Sequence, residues 1–185
     1  MIQDVLTETE TKMKKAMDAL RRELQNIRTG RAVPGLIEKI PVDVYGTSTP
    51  LNQLGSVTAP EARLLVVQPW DKNTMGAIEK AIQKSELNLT TNNDGKVIRI
   101  PIPALTEQRR KELVKVVKSK VEDSKVTVRN IRRDNLNDIK ELLHEKLISE
   151  DEDKRAHEKI QSLTDKYIME SDQIGHHKEQ EILEV

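Results

Sequence analysis

The chain of 185 residues has no cysteine, no phenylalanine, one tryptophan and two tyrosines. Without cysteine, disulfides, thiolate metal sites and thiol nucleophiles are excluded outright. With aromatics at 2%, one thick core is a poor solution, and 36% hydrophobic against 34% charged residues suits slender amphipathic helices better. Long apolar runs are also missing: the longest, Leu64 to Val67, falls far short of the roughly 20 residues a membrane span needs. The opening Met1-Ile2-Gln3-Asp4-Val5-Leu6-Thr7-Glu8 is acidic and has neither the basic-then-apolar order of a signal peptide nor the Arg/Ser-rich look of a transit peptide. A soluble cytoplasmic protein with no membrane partner is the expectation.

A net charge of zero hides a segregation. Residues 106 to 133 carry ten Lys/Arg against four acids, a net +6, whereas residues 134 to 185 carry seven against fifteen, a net −8. One stretch is suited to meeting anions and the next to repelling them, which a merely solvated surface does not require.

Hydrophobic periodicity divides the chain. Leu6, Met13, Leu20 and Ile27 recur every seven positions with Met17 and Leu24 between them, predicting one amphipathic helix over residues 1 to 29. The next 75 or so residues hold all seven prolines and three β-branched runs, at 36–45, 63–68 and 97–102, which read as strands. Between the second and third, Met75, Ile78, Ala81 and Ile82 take helical spacing within Asn73 to Ser85, and Asn92-Asn93-Asp94-Gly95 offers a tight hairpin turn. Trp70 is expected to pack at the end of a strand. After Thr106 there is no proline and helix returns, with Thr106 as a possible cap and Ser149-Glu150-Asp151-Glu152 as a capping box opening another helix near residue 150.

Three helices each have one apolar stripe, and none can bury it alone. The economical solution is an α+β, two-domain protein: a three-helix bundle from residues 1–29 plus 106–185, with residues 30–105 inserted as a small β/α/β domain. The two crossovers, Thr29-Gly30-Arg31 and Pro103-Ala104-Leu105-Thr106, make a plausible hinge. Gly30 also fits a left-handed cap closing the first helix. At 1.5 Å per residue a helix of about 40 residues is about 60 Å long, so a rod with a compact knob is expected, closer in outline to a tRNA than to an enzyme. Because the three stripes satisfy one another, the chain is expected to be a monomer.

On a helical wheel, Leu113, Val117, Val121, Val128, Ile131, Ile139 and Leu142 form the core face of the second long helix. Lys111, Lys115, Lys118, Lys125, Arg129, Arg132, Arg133 and Lys140 gather about a quarter-turn away, a basic ridge able to track phosphates. The planar forks of Arg129, Arg132 and Arg133 are the specific part, since Lys acts as a point charge. The competing reading is a solvated face with i,i+4 pairs such as Lys118 with Glu122; the local excess of +6 favours the phosphate reading. Trp70, Tyr45 and Tyr167 are too few and dispersed for a single-strand stacking platform, so a folded RNA backbone fits better.

Catalytic signatures are missing. There are no spaced His/carboxylate ligands, Gly-rich phosphate loops or nucleophile elbows. His176 and His177 are adjacent and point about 100° apart on a helix, while His144 and His157 stand alone among charges. No catalytic residue, metal or cofactor is expected, and any GTP or ATP requirement would belong to a partner.

Several strings together carry a resemblance: Ile27-Arg28-Thr29-Gly30-Arg31-Ala32, Tyr45-Gly46-Thr47, Gln68-Pro69-Trp70-Asp71, the run from Pro101 through Pro103-Ala104-Leu105-Thr106 to Arg109-Arg110, Val128-Arg129-Asn130-Ile131-Arg132-Arg133-Asp134, and Ile148-Ser149-Glu150-Asp151-Glu152. In order and without an obvious gap, they resemble the bacterial ribosome recycling factors. The resemblance implies an L-shaped, non-enzymatic protein. With elongation factor G, which uses GTP, it would split post-termination ribosomes and release mRNA and deacylated tRNA. It places Arg129, Arg132 and Arg133 on large-subunit ribosomal RNA, and Lys111, Lys115, Lys118, Lys125 and Arg110 are candidates for the same surface. Arg28 and Arg31 would flank the hinge strand; Arg109 and Arg110 would follow the return strand. The alternative is a structured-RNA-binding adaptor without recycling activity; a coiled-coil filament is disfavoured because the heptads stop at the β-rich insertion. Gly175 departs from the family pattern and predicts a helix end that frays, at a cost of roughly 1 kcal/mol relative to Ala.

Overall fold

A computed structural model describes residues 1–184. In chain order the elements are α1 (Ile2–Gln25), β1 (Pro41–Val44), β2 (Thr47–Pro50), β3 (Gly55–Glu61), β4 (Leu64–Pro69), α2 (Met75–Lys84), β5 (Asn92–Asn93), β6 (Ile98–Pro101), α3 (Glu107–His144) and α4 (Glu150–Leu183). They form two compact units. Met1–Arg28 with Glu107–Glu184 holds α1, α3 and α4, and Thr29–Thr106 holds the strands and α2.

The stripe of α1 becomes the bundle core. Leu6, Ile139, Ile148, Ala156 and Ile160 form one buried cluster, and Met13, Met17, Val128 and Tyr167 form another. Fully buried Thr9 and Asn135 add a polar pair to this interior: Asn135 Nδ2 donates to Thr9 Oγ1 and, at 3.5 Å, to the Val5 carbonyl. A buried amide with one good partner geometry specifies how α1 and α3 align more sharply than interchangeable apolar contacts do. Tyr167 buries its ring and donates from its hydroxyl to Glu10 Oε1 at 3.2 Å, tying α4 to α1.

Helix ends follow local chemistry. α1 stops at Gln25 rather than 29, with Asn26 as its C-cap in right-handed geometry, so left-handed Gly30 (φ +76°) lies beyond the helix and does not cap it. The heptad spacing extends to Ile27, but Asn26 and Thr29 are weaker helix formers and the chain leaves the bundle there. α3 ends with Lys146 left-handed (φ +57°) and bonds from Lys146 N to Leu143 O and Leu147 N to Leu142 O, which satisfy two terminal carbonyls. Three residues later Ser149 and Glu152 form the expected reciprocal capping box.

Gly175 does not interrupt α4, which continues to Leu183 with Ile182 fully buried. A Cβ at Gly175 would lie 2.4 Å from Val121 Cγ2, so the glycine makes room for Val121 of α3 against α4 at this point. The expectation of a frayed end fails because packing against Val121 outweighs the propensity penalty.

In the other unit, β1 and β2 form a hairpin through Tyr45-Gly46, both at positive φ (52° and 75°), a pairing of signs that matches strand twist. A second, wholly antiparallel sheet has the order β3-β4-β6-β5. Its core includes Ile37, Val42, Leu51, Leu65, Val67, Ile98 and Ile100, closed by Ile78 and Ile82 of α2. Three strands, β2, β3 and β5, are absent from the sequence reading because their polar, mostly exposed residues show no clean alternation; Asn92 and Asn93, read as part of a turn, pair with Arg99 and Ile98 of β6. Residues 36–40 are not strand: Pro34–Leu36 is a 3₁₀ turn, and Ile40 N bonds back to Ile37 O. Trp70 also differs from expectation. Burial in β4 alternates so that Pro69 points inward, and Trp70, at 70% exposed, points out.

Candidate nucleic-acid interface

The ridge is built by the pitch of α3. Leu113, Val117, Val121, Val128 and Ile139 are buried toward α1 and α4, which leaves the flanking basic side chains along the solvent edge. Lys120 falls on another side and pairs with Glu23 of α1 at 3.3 Å.

The partners of the basic residues differ from one position to the next. Arg110 is half-buried, donates to the Leu183 carbonyl at 3.4 Å and has its Nε buried without a hydrogen-bond partner, so it serves the helix junction more than the outer face. Lys111 pairs with Glu107 at 3.4 Å. Lys125, its side chain only 18% exposed, is held by Asp172 of α4 at 2.5 Å. Arg129 pairs with Glu122 at 3.1 Å and Arg133 with Asp134 at 3.6 Å. Arg132 instead donates to the neutral amide oxygen of Gln161 at 3.2 Å. Lys115, Lys118 and Lys140 are exposed and make no ion pair among the described residues. The Lys118–Glu122 pair of the competing solvated-face reading does not form; Glu122 pairs with Arg129 two turns along instead.

Exposed ion pairs of this kind are worth about 0.2–1 kcal/mol, so an RNA phosphate can displace Glu122 or Asp134 at small cost. The Lys125–Asp172 pair is different. It borders a groove of about 500 Å³ that also holds Lys118, Glu122, His176 and Glu179, a lining of both signs that disfavours a run of phosphates. Outside that groove the basic side chains on this edge of α3 are Lys111, Arg129, Arg132 and Arg133, with Lys115 and Lys140 as exposed point charges. Charge segregation was legible in the sequence; the neutralisation of Lys125 and the diversion of Arg110 were not, because both partners lie on α4.

At the crossovers, Arg28, Arg31, Pro103, Ala104 and Thr106 are exposed, while Thr29, Gly30 and Leu105 are half-buried. A Cβ on Gly30 would meet Leu105 Cγ at 3.0 Å, so the entering and leaving strands lie against each other at this point. Just inside, Ala32 N donates to Ala62 O at 2.7 Å and Ile102 N to Arg63 O at 2.8 Å. Both strands are thus pinned to the β3–β4 turn, an anchor that no local sequence signal announces.

Two aromatic rings sit on the surface of the β unit. Tyr45 is 81% exposed and donates its hydroxyl to Asp71 Oδ2 at 2.9 Å, while Asp71 Oδ1 accepts from Asn73 N. The carboxylate beside it raises the Tyr45 hydroxyl above the ordinary phenol range. Among the described residues, no group of three or more His, Asp or Glu side chains is placed to hold a metal.

Comparison with known proteins fits this architecture. The ribosome recycling factor family model matches residues 20–183. Ribosome-recycling factors of Heliobacterium modesticaldum and of a Roseiflexus species are 58% and 57% identical, each over the full length of both chains. A solution structure of a ribosome recycling factor is similar with a TM-score of 0.72 and 46% identity, covering 100% of this chain and 98% of that one. So is the T. thermophilus factor described with E. coli elongation factor G bound to the E. coli post-termination complex, at a TM-score of 0.62 and 47% identity over 99% of each chain. With full-length identity well above half and the same three long helices carrying an inserted sheet, the chain belongs to the ribosome recycling factor family, whose members are translation factors rather than enzymes.

Proposed function

We propose that this protein acts in the cytoplasm on the post-termination ribosome, with elongation factor G as its partner, and separates the subunits so that mRNA and deacylated tRNA leave. The bundle supplies the RNA-binding surface: Arg129, Arg132 and Arg133 on α3 meet large-subunit ribosomal RNA phosphates, with Lys115 and Lys140 adding long-range attraction. The observation that carries this reading is the full-length family match on a chain whose net +6 segment presents three arginines along one helix edge. The Thr29–Arg31 and Pro103–Thr106 strands act as the hinge, and the factor transmits motion that elongation factor G derives from GTP. This chain itself is a lever, with no bond made or broken on it.

The test is light scattering of post-termination ribosomes in the presence of an initiation factor that blocks reassociation. Scattering should fall only when this protein, a matched elongation factor G and GTP are all present. A flat trace, with the protein still co-sedimenting with large subunits, would refute the lever and favour an RNA-binding adaptor. Arg132→Gly should weaken large-subunit binding about tenfold or more, the scale of a hydrogen bond to a charged group, while leaving helical circular dichroism unchanged.

A further inference from the structure

Three arginines on the α3 edge have two kinds of partner, and the difference between them is functional. Arg129 and Arg133 face carboxylates, those of Glu122 and Asp134. Arg132 faces an amide: Gln161 Oε1 on α4 accepts from Arg132 Nη1 at 3.2 Å, and no ion pair to Arg132 occurs among the described residues. Gln161 is itself oriented, because its Nε2 donates to Asp165 Oδ1 at 2.9 Å, one turn further along α4. That donor–acceptor order is the only one that satisfies both neighbours. Turning the amide over would set NH₂ against the guanidinium and oxygen against the carboxylate.

We infer that Gln161, oriented by Asp165, is a positioning residue for Arg132: it fixes the guanidinium beside α4 without cancelling its charge, so that Arg132 meets a phosphate already placed and still cationic. An amide suits this better than a carboxylate. A Glu at the same point would form an ion pair that the RNA must break, whereas an apolar residue would leave a flexible side chain to be ordered on binding. The planar fork of Arg has donors on both edges, so one edge can rest on Gln161 while the other faces solvent. Because the inference rests on the reading of α3 as the RNA face, its test must separate the two.

Purified bacterial large ribosomal subunits serve as the probe, with affinity measured across a salt series for the full chain, Gln161→Glu, Gln161→Leu, Arg132→Ala and the double variant Arg132→Ala/Gln161→Glu. Thermal melts confirm that each is folded. Gln161→Glu should weaken binding by up to about fivefold, the worth of an exposed ion pair. It should also make the slope of log affinity against log salt shallower by about 0.7–0.9, one phosphate contact fewer. Gln161→Leu keeps the charge, so it should lose affinity with an unchanged slope. In the Arg132→Ala background, Gln161→Glu should have no further effect.

If Gln161→Glu binds like the unaltered protein with the same slope while Arg132→Ala binds weakly, the positioning role is wrong and the RNA face stands. An equal loss from Gln161→Glu with or without Arg132 would show general repulsion by the added charge, which overturns the inference as well. If Arg132→Ala itself binds normally, the underlying assignment of the α3 face has failed.

Discussion

Replacing Gly175 by alanine sets two effects of known size against each other. In an open helix the change should stabilise by about 1 kcal/mol, the difference in helix propensity. Here the added Cβ would fall 2.4 Å from Val121 Cγ2 and 3.8 Å from Val117 Cγ1, and a contact of 2.4 Å requires Val121 or the helix itself to move. Val121 is buried and β-branched, so its side chain has little freedom to rotate away. Overpacking of this kind costs about 1–3 kcal/mol, so the net result is a loss of about 0–2 kcal/mol. For a chain of this length each kcal/mol corresponds to a fall of about 2–4 °C in melting temperature. Urea and thermal unfolding followed by circular dichroism at 222 nm measure it, since the long helices dominate that signal. The sharper form uses Val121→Ala as background: with the opposing methyls removed, Gly175→Ala should change sign and stabilise by up to about 1 kcal/mol. A gain of that size in the unaltered background, or no change of sign without Val121, would refute the view that Gly175 exists for close helix approach.

Three further outcomes are expected. Ser149→Ala removes the hydroxyl that accepts from Glu152 N at 3.1 Å and should cost about 1 kcal/mol in bundle stability, with no change in the fluorescence of Trp70 in the other unit. Gly55→Ala would place a Cβ 2.5 Å from the Gln68 carbonyl and 2.9 Å from Pro69 Cα; with backbone on the opposing side, the β unit should lose about 1–3 kcal/mol or more, read as an earlier urea transition of Trp70 fluorescence. Tyr167 has its hydroxyl pushed up to about 12, first by burial and then by the neighbouring Glu10 carboxylate. Its neutral form is favoured in the fold, so its contribution is complete below the ordinary phenol value near 10 and is lost as pH rises toward 12. Tyrosinate absorbance at 295 nm in a Tyr45→Phe variant should therefore show a midpoint near 12, lowered by Glu10→Gln. A midpoint near 10 in the folded chain would contradict the buried, Glu10-bonded placement.

Several features could be read before any coordinates because their causes are local. The helical stripes through Met13, Met17, Val117, Val128 and Ile160 depend only on a repeat of about 3.6 residues. The Ser149–Glu152 box depends on residues three apart, and the charge reversal near residue 134 is a matter of counting. Harder elements were those whose causes are distant. β2 and β3 are strands because β1 and β4 pair with them, not because Thr47–Pro50 or Gly55–Glu61 show alternation. Trp70 faces solvent because Pro69 occupies the inward position of its strand. Ala32 and Ile102 are bound to the β3–β4 turn across long stretches of sequence.

By itself, then, the sequence determined the three long helices, the inserted β-rich segment, the family motifs and the cationic edge of α3, since each follows from spacing or composition within a few turns of chain. Only the tertiary structure decided what that edge can do. α4 lies alongside α3 at Gly175, neutralises Lys125 through Asp172, turns Arg110 toward Leu183 and leaves Arg132 on an uncharged amide. The physical reason is that a side chain's available charge depends on what lies within a few ångströms of it. For Arg110, Lys125 and Arg132 those neighbours come from a helix that begins forty residues after Arg110.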